Sequence, residues 1–385
     1  MPSAIAGAAF APLDPQRRED LLRRFAELRS GREKPGRFWR IDLEAIAVPQ
    51  TAAAYTPPEI RTPAIRGGFA MDILRAAKEH PQLFARAFGS AIAHGDRKFA
   101  ALAAASCNTG AFVYVPAGVA VDEPVEIVYD AGNGALFPYT LVLAERGSRV
   151  TIVEQVRGAQ RSFVCGIDEV AAGESAAVTF AAYQDLPDDA TLIYTRDASP
   201  RKDAGVTWSV AHLGAHLTVD SLDVHIGQPG VEAAINALFF PGGTQHVDLT
   251  STATHDAGDS RSQTLIKSAG TGSGQGRYVG NIRIAAHAQA TESGLRDDAL
   301  LLSKHAHIDS VPALEIAAND VKAFHGATVG AIDEEQIFYM ISRGIAREDA
   351  EKMIALGFFE PVVERFPTNA LREMLRRALE AKVLA

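Results

Sequence analysis

The chain of 385 residues has only two cysteines, Cys107 and Cys165. Two thiols exclude a disulfide framework, and they exclude any four-thiolate zinc or iron–sulfur site built by one chain alone. The chain also lacks a run of about 18 apolar residues, which a membrane-spanning helix requires. We therefore expect no membrane span, and we interpret both cysteines as buried, inert thiols.

An excess of positive charge is also absent. Lys and Arg number 38 against 47 Asp and Glu, so the formal net charge is −9. This balance disfavours nucleic acid or an anionic membrane as the main partner. Residues 1–10 are apolar but lack a basic leader, so we interpret them as a frayed tail rather than a signal peptide. The expected location is the cytoplasm.

Motifs for nucleotide binding and for common hydrolases are missing. The glycine-rich segment 270–276 is followed neither by Lys-Ser or Lys-Thr nor by a helical pattern, so it is neither a P-loop nor a dinucleotide fingerprint. We expect it to connect two strands. The sequence contains no Gly-x-Ser-x-Gly and no His-Glu-x-x-His, so a hydrolase or metalloprotease has no positive support.

Three regions of different pattern are present. Residues 1–106 are mostly helical in pattern, residues 107–331 contain short alternating runs typical of strands, and residues 332–385 are helical again. Small-residue turns recur in the middle region, several of them about 26 to 29 residues apart, which is the length of one solenoid coil. This favours a parallel β-helix over a βαβ sheet, but periodicity alone leaves a β-sandwich equally open.

The C-terminal region has clear helix boundary signals. Asp333 can cap a first helix, and a second helix is predicted from about Arg347 to Leu356, with Gly357 after it. Thr368 can cap a last helix. Short helices at the end of a solenoid both cap it and offer a docking surface.

Histidine is the residue type most suggestive of chemistry. His305, His307 and Asp309 alternate, so on a strand all three would face one side and could hold a metal. We favour a solvated polar strand face, because a metal site needs supporting residues around its ligands. His325 lies where the strand pattern ends, and it is equally consistent with a structural hydrogen-bonding role and with a ligand role. Two pairs are weaker versions of the alternating pattern: His246 with Asp248, and His255 with Asp256.

A long ordered block identifies a resemblance. Residues 320–330 read Asp-Val-Lys-Ala-Phe-His-Gly-Ala-Thr-Val-Gly, and they are followed by Asp-Glu-Glu-Gln-Ile-Phe-Tyr at 333–339 and Ser-Arg-Gly-Ile at 342–345. This block strongly resembles the SufB/SufD family of iron–sulfur cluster assembly proteins, and its His-Gly-Ala-Thr-Val-Gly form resembles the SufD branch. The resemblance covers about residues 69–366. Further matching segments lie at 98–102, 110–119, 300–303 and 312–316.

The resemblance implies a mainly β fold, a right-handed parallel β-helix flanked by N-terminal and C-terminal α-helical regions. It implies a non-catalytic scaffold subunit, whose β-helix end pairs with a SufB-like subunit and whose C-terminal helices dock a SufC-like ABC ATPase. ATP would bind only the SufC chain. A homodimer is plausible when these partners are absent, because an open β-helix end is an unpaired edge. The implied partner-binding residues are Phe338, Tyr339, Arg343, Gly344 and Phe358.

The resemblance also gives His325 a role. It implies that this histidine is a ligand in a transient iron–sulfur cluster shared with SufB, with no cofactor held stably by this chain alone. The sequence departs from the family pattern where Ala323 replaces a frequent cysteine, and where Glu292–Asp298 replaces a run rich in Gln and Asn. Two alternatives remain open: a secreted carbohydrate-active β-helix protein, and a homodimeric scaffold without metal chemistry.

Overall fold

The computed structural model describes residues 12–28, 43 and 46–383, and the expected N-terminal tail lies outside them. Within these residues a helical N-terminal part precedes a long series of strands, and helices follow the last strand. The helices are α1 (Pro15–Glu27), α2 (Ile73–Glu79), α3 (Pro81–Ala87), α4 (Lys98–Ser106), α5 (Glu334–Ser342), α6 (Arg347–Val363) and α7 (Asn369–Val383).

The strands alternate between two sheets. They are β1 (Glu59–Arg61), β2 (Phe69–Asp72), β3 (Thr109–Val115), β4 (Val125–Asp130), β5 (Ala135–Leu136), β6 (Pro138–Ala144), β7 (Arg149–Arg157), β8 (Phe163–Ala172), β9 (Ala177–Gln184), β10 (Thr191–Pro200), β11 (Gly205–His212), β12 (Leu217–Ile226), β13 (Glu232–Phe239), β14 (His246–His255), β15 (Arg261–Gly270), β16 (Gln275–Ile284), β17 (Thr291–Leu301), β18 (His307–Ile316) and β19 (Val321–Ala331).

The two sheets wind into a parallel β-solenoid of about eight turns. The first sheet has the order β1-β4-β7-β9-β11-β13-β15-β17-β19, and the second has the order β18-β16-β14-β12-β10-β8-β6-β3-β2. Each coil adds one strand to each sheet, so strands that pair are two apart in the chain. The predicted β-helix is thus confirmed over the β-sandwich, because nearly every pairing is parallel.

Alternation along each strand builds the core. Side chains at every second position point into the lumen, the space between the two sheets, and Ile152, Phe180, Trp208 and Ile235 form part of one continuous apolar cluster there. The coils turn tightly between strands. Gly147 occupies such a turn with φ of 66°, a backbone conformation that glycine adopts without strain.

Helices cover the outer faces of both sheets. Helices α2–α4 bury apolar side chains against the second sheet, where they meet Phe163, Cys165 and Ile193. Helices α6 and α7 pack on the first sheet, where Phe359 stacks on Phe240 with ring centroids 5.8 Å apart. The helices therefore cover part of the outer face of each sheet. Among the described residues, no helix has both the length and the apolar character needed to cross a bilayer.

The C-terminal helices follow their predicted caps, but the second helix is longer than predicted. The Asp333 carboxylate accepts a hydrogen bond from the Glu335 N–H at 2.9 Å, and the Thr368 hydroxyl accepts one from the Leu371 N–H at 3.2 Å. The predicted end of the second helix near Leu356 is wrong, because α6 continues through Gly357 to Val363. Its last turns are held by the burial of apolar side chains on the first sheet, which outweighs the low helix propensity of glycine. The division at residues 106/107 and 331/332 stays a prediction.

Candidate functional site

The last coil leaves the solenoid open at one end. Among the described strands, β18 pairs only with β16 and β19 pairs only with β17, so each is the edge strand of its sheet. An edge strand presents backbone N–H and C=O groups that can pair with a further strand. The two edges lie side by side, and together they form the surface that we call the open end.

His325 lies on the lumen side of β19. It is in register with Leu295, a buried lumen residue of β17, and Val321 and Ala323 on the same side of β19 pack against the lumen core. The intervening Lys322 points outward, where its ammonium donates to Glu292 at 2.8 Å. The His325 side chain is nevertheless exposed, because no coil follows. Its ring therefore sits at the mouth of the lumen.

Apolar side chains are exposed around the same end. Phe324 is 58% exposed, and Val329 and Ile316 are exposed by 43% and 39%. The Phe324 ring lies against Gly294 of the coil below, so close that a Cβ on that glycine would meet the ring at 2.5 Å. Exposed apolar groups beside unpaired strand edges are typical of a surface that another chain covers.

Asp297 lies one coil below this surface, and it also faces the lumen. It pairs in register with Ala327 of β19, and it is fully buried. Burial, helped by the negative charge of Asp298, raises the pKa of its carboxyl to about 7, while Ser310 and the positive charge of Lys267 act in the opposite direction. Among the described residues, neither carboxyl oxygen of Asp297 has a partner with the geometry of a hydrogen bond. The same holds for the Ser310 hydroxyl.

A second set of buried charges lies deeper in the lumen, and it contains its own cation. The Arg196 guanidinium donates to Asp168 and, at 3.0 Å, to Asp220, and it lies 3.6 Å from Glu154. His212 Nε2 is also 3.0 Å from Asp220. Burial raises the pKa of Glu154. Burial acts in the same direction on Asp220, but Arg196 and His212 outweigh it, so that pKa is lowered. Glu154, Asp168 and Asp220 therefore share one cation, Arg196.

The predicted trio of metal ligands does not come together on one strand. His305 lies in the turn before β18, whereas His307 and Asp309 lie on β18 and contact each other at 2.8 Å. Across the described ranges, no group of three or more His, Cys, Asp or Glu side chains is placed to hold a metal ion. The expected solvated pair is present, but the shared face of three is wrong because the strand begins at His307.

The weaker histidine pairs have structural partners. His255 is buried, and its two ring nitrogens each lie 2.8 Å from a hydroxyl, that of Ser260 and that of Ser262. Burial lowers the pKa of His255 to about 4, so the ring is neutral at pH 7. The Asp248 carboxylate accepts two hydrogen bonds from Arg277, at 2.7 and 2.8 Å.

Both cysteines are buried as expected. Cys107 and Cys165 are at most 1% exposed, and burial raises the pKa of each thiol well above its ordinary value. The thiolate is the reactive form of cysteine, so these two thiols are inert in the folded chain. Ala323 occupies the lumen side of β19 two residues before His325, so no thiol is present there.

The predicted partner-binding residues divide into two groups. Phe338 and Tyr339 on α5 are 73% and 61% exposed, the Arg343 guanidinium lies 5.3 Å from the Tyr339 ring centroid, and Gly344 ends the helix with φ of 87°. Phe358 differs, because its ring is half-buried. It packs edge-on against Phe359, and the Lys267 ammonium lies 4.4 Å from its ring centroid. The exposed surface of α5 therefore presents Phe338 and Tyr339, and Phe358 faces the solenoid.

Sequence reasoning missed Asp297, Ser310 and Phe324 as residues of the open end. Asp297 belongs to the segment that departs from the family pattern, and its lumen-facing position follows from counting alternate residues from Leu295. This alternation was the signal in the sequence that could have placed Asp297 in the lumen. The missing partner was not visible, because it depends on which side chains the neighbouring coils place opposite it.

Comparison with known proteins gives consistent matches. The family model described as SUF system FeS cluster assembly, SufBD core domain, matches residues 127–358. The chain is 31% identical over 326 residues to the iron-sulfur cluster assembly protein SufD of Bacillus subtilis, covering 83% of this chain and 74% of that protein. It is 28% identical over 306 residues to iron-sulfur cluster assembly SufBD family proteins of Staphylococcus epidermidis and Staphylococcus haemolyticus, covering 78% of this chain and 66%, just under two thirds, of each relative.

Proposed function

Because the chain belongs to the SufBD family of iron–sulfur cluster assembly proteins and is SufD-like, we propose that it is the SufD-type scaffold subunit of a complex with a SufB-like subunit and a SufC-like ABC ATPase. In this complex His325 supplies an imidazole ligand to a cluster that forms at the interface with the SufB-like subunit. The position of His325, exposed on the lumen side of an edge strand, is the observation that carries the proposal.

A shared site explains why this chain has few ligands of its own. A strand of the SufB-like subunit that pairs with β19 would extend the first sheet, and its lumen-facing side chains would lie in register with His325. Each chain then brings part of the coordination sphere. The cluster is cargo, held while both chains are in place and released when the interface opens.

The ATPase contact is proposed at α5. Phe338 and Tyr339 form an exposed apolar and aromatic surface outside the solenoid, and Arg343 lies beside it. Aromatic residues and Arg are enriched in the cores of protein interfaces. The ATPase chain supplies the nucleotide site, and this chain transmits its movement to the open end through α5 and the last coil.

The site is tested by His325→Ala in the co-expressed complex, purified without oxygen. Iron and acid-labile sulfide per complex are expected to fall several-fold, while subunit composition stays unchanged. His305→Ala is the matched control, since His305 is also exposed at the same end but lies in a turn outside the strand. If the His325→Ala complex holds as much iron and sulfide as the parent, the proposed role of His325 is wrong.

The docking surface is tested by Phe338→Glu. This change places a charge in the centre of the apolar surface, so we expect loss of the ATPase from a pull-down with retention of the SufB-like subunit. Val329→Lys is the reciprocal variant, because Val329 lies at the open end, and it is expected to lose the SufB-like subunit and keep the ATPase. Retention of the ATPase by Phe338→Glu would contradict the assignment of α5.

The two earlier alternatives make different predictions. Family membership removes the basis for a carbohydrate-active protein. A scaffold without metal chemistry predicts the same low iron and sulfide content in the parent complex as in the His325→Ala complex. The analysis of the parent complex therefore decides between that alternative and a cluster site.

A further inference from the structure

Asp297 is a buried acid for which the described residues provide no counter-charge in contact. Its side chain is fully buried in the lumen, and neither oxygen has a hydrogen-bond partner in the described part of the chain. Lys267 is the cation that acts on its pKa, but the Lys267 ammonium lies 2.8 Å from Asp298, whose side chain points to the outer face. A buried carboxylate without a partner is strongly destabilising, so its presence requires an explanation.

Other lumen carboxylates are treated differently by the fold. Asp168 and Asp220 both contact Arg196, which neutralises part of their charge inside the solenoid. These pairs lie several coils away from the open end. The unpaired acid is instead in the last-but-one coil of the first sheet, where a positive group can arrive from outside after folding.

The place of Asp297 relative to His325 is set by strand geometry. Asp297 is in register with Ala327, two residues beyond His325 on the next strand, and all three face the lumen. The spacing between strands and the rise along a strand put the Cα atoms of Asp297 and His325 about 8 Å apart. One metal ion between the two side chains spans such a distance. On the next strand, the Ala327 side chain that lies over Asp297 is only a methyl group.

Ser310 completes the arrangement from the second sheet. It lies on β18, the other edge strand, and its hydroxyl also lacks a partner in the part of the chain that the structure describes. It is close enough to Asp297 to act on the carboxyl. The mouth of the lumen therefore holds a carboxylate and a hydroxyl from two different sheets, with an imidazole one coil above them.

We propose that Asp297, supported by Ser310, is a binding site for a divalent cation at the mouth of the lumen, and that during cluster assembly it receives ferrous iron and holds it next to His325. Carboxylate oxygen and imidazole nitrogen are suitable ligands for ferrous iron. The remaining positions are filled by water or by the SufB-like subunit, which agrees with the absence of a three-ligand group within the described residues. The identification of the cation as iron rests on the proposed function.

The cation site is tested with Co²⁺, whose visible absorption reports ligand number, on the full chain and on the complex without oxygen. We expect one Co²⁺ per chain. Asp297→Asn keeps the shape of the side chain and removes its charge, so its affinity for Co²⁺ is expected to fall about tenfold or more. Asp320→Asn is the matched control, because Asp320 is an exposed acid beside the same coil, and it is expected to bind Co²⁺ like the parent.

The outcomes separate this inference from the proposed function. If Asp297→Asn binds Co²⁺ as tightly as the parent, or if the parent binds none, the cation site is wrong even where His325→Ala lowers the iron and sulfide content. If Asp297→Asn weakens Co²⁺ binding while His325→Ala leaves cluster content at the parent level, the cation site stands and the role of His325 fails. Circular dichroism of each variant checks that the fold is retained.

Discussion

Because Asp297 is buried without a counter-charge in contact among the described residues, we expect the Asp297→Asn substitution to stabilise the chain. Burial raises the pKa of this carboxyl from its ordinary value of 3.8 to about 7. At 1.36 kcal/mol for each pKa unit, ionised Asp297 lowers the free energy of unfolding by about 4 kcal/mol when the pH is above 7. Asp297→Asn removes the ionisation, so the variant is expected to be more stable than the parent at pH 8.

The sign of the pH dependence is fixed by the direction of the pKa change. A carboxyl whose pKa is raised on folding favours the folded state only while it is protonated. The free energy of unfolding of the parent therefore falls as the pH rises from about 4 to 7. The Asn variant does not show this decrease, because its side chain does not ionise. We expect the stability difference between variant and parent to grow by about 2 to 3 kcal/mol from pH 5 to pH 8.

The assay is urea unfolding followed by circular dichroism at both pH values, with a chelator present so that no cation pairs with the carboxylate. Amide hydrogen exchange of residues 291–301 gives a local readout for the same strand. Asp320→Asn, an exposed acid, is expected to show no such growth. A stability difference that is the same at pH 5 and pH 8 would refute the claim that Asp297 is buried without a counter-charge.

Three further outcomes follow from other buried groups. Arg196→Met leaves buried carboxylates without their cation, so the free energy of unfolding should fall by about 3–5 kcal/mol in urea melts, and an unchanged midpoint would contradict the network. Glu169 accepts N–H groups of the 89–92 loop, so Glu169→Gln should cost about 1–3 kcal/mol and speed amide exchange in that loop. Cys107 and Cys165 should react with a thiol reagent only after unfolding, and fast labelling of the native chain would contradict their burial.

Local chemistry allowed part of the fold to be predicted. The caps at Asp333 and Thr368 depend on a side chain and the next few backbone N–H groups, so their residue types and positions were sufficient. The end of α6 was not predictable in this way. Gly357 and Pro361 favour an earlier end, and only the long-range burial of Phe359 on the first sheet explains why the helix continues.

The choice between a solenoid and a sandwich lay beyond local pattern. Both folds place apolar residues at every second position, and they differ in which strands pair. In this chain β17 pairs with β19, and β18 lies between them in sequence but in the other sheet. The spacing of the turns favoured this pairing of every second strand, and the family resemblance predicted it. The candidate site was limited in the same way, since the histidine was recognisable by its motif and its buried acidic neighbour was not.

The distribution of unsatisfied groups along the solenoid bears on where function lies. In the interior, Arg196 contacts Asp168 and Asp220, so folding alone brings a cation to those two carboxylates. At the open end, the edge strands have free pairing sides, Phe324 is exposed, and Asp297 has no hydrogen-bond partner within the described chain. Each of these features is unfavourable for an isolated chain, and a second chain with a cation improves them all at once.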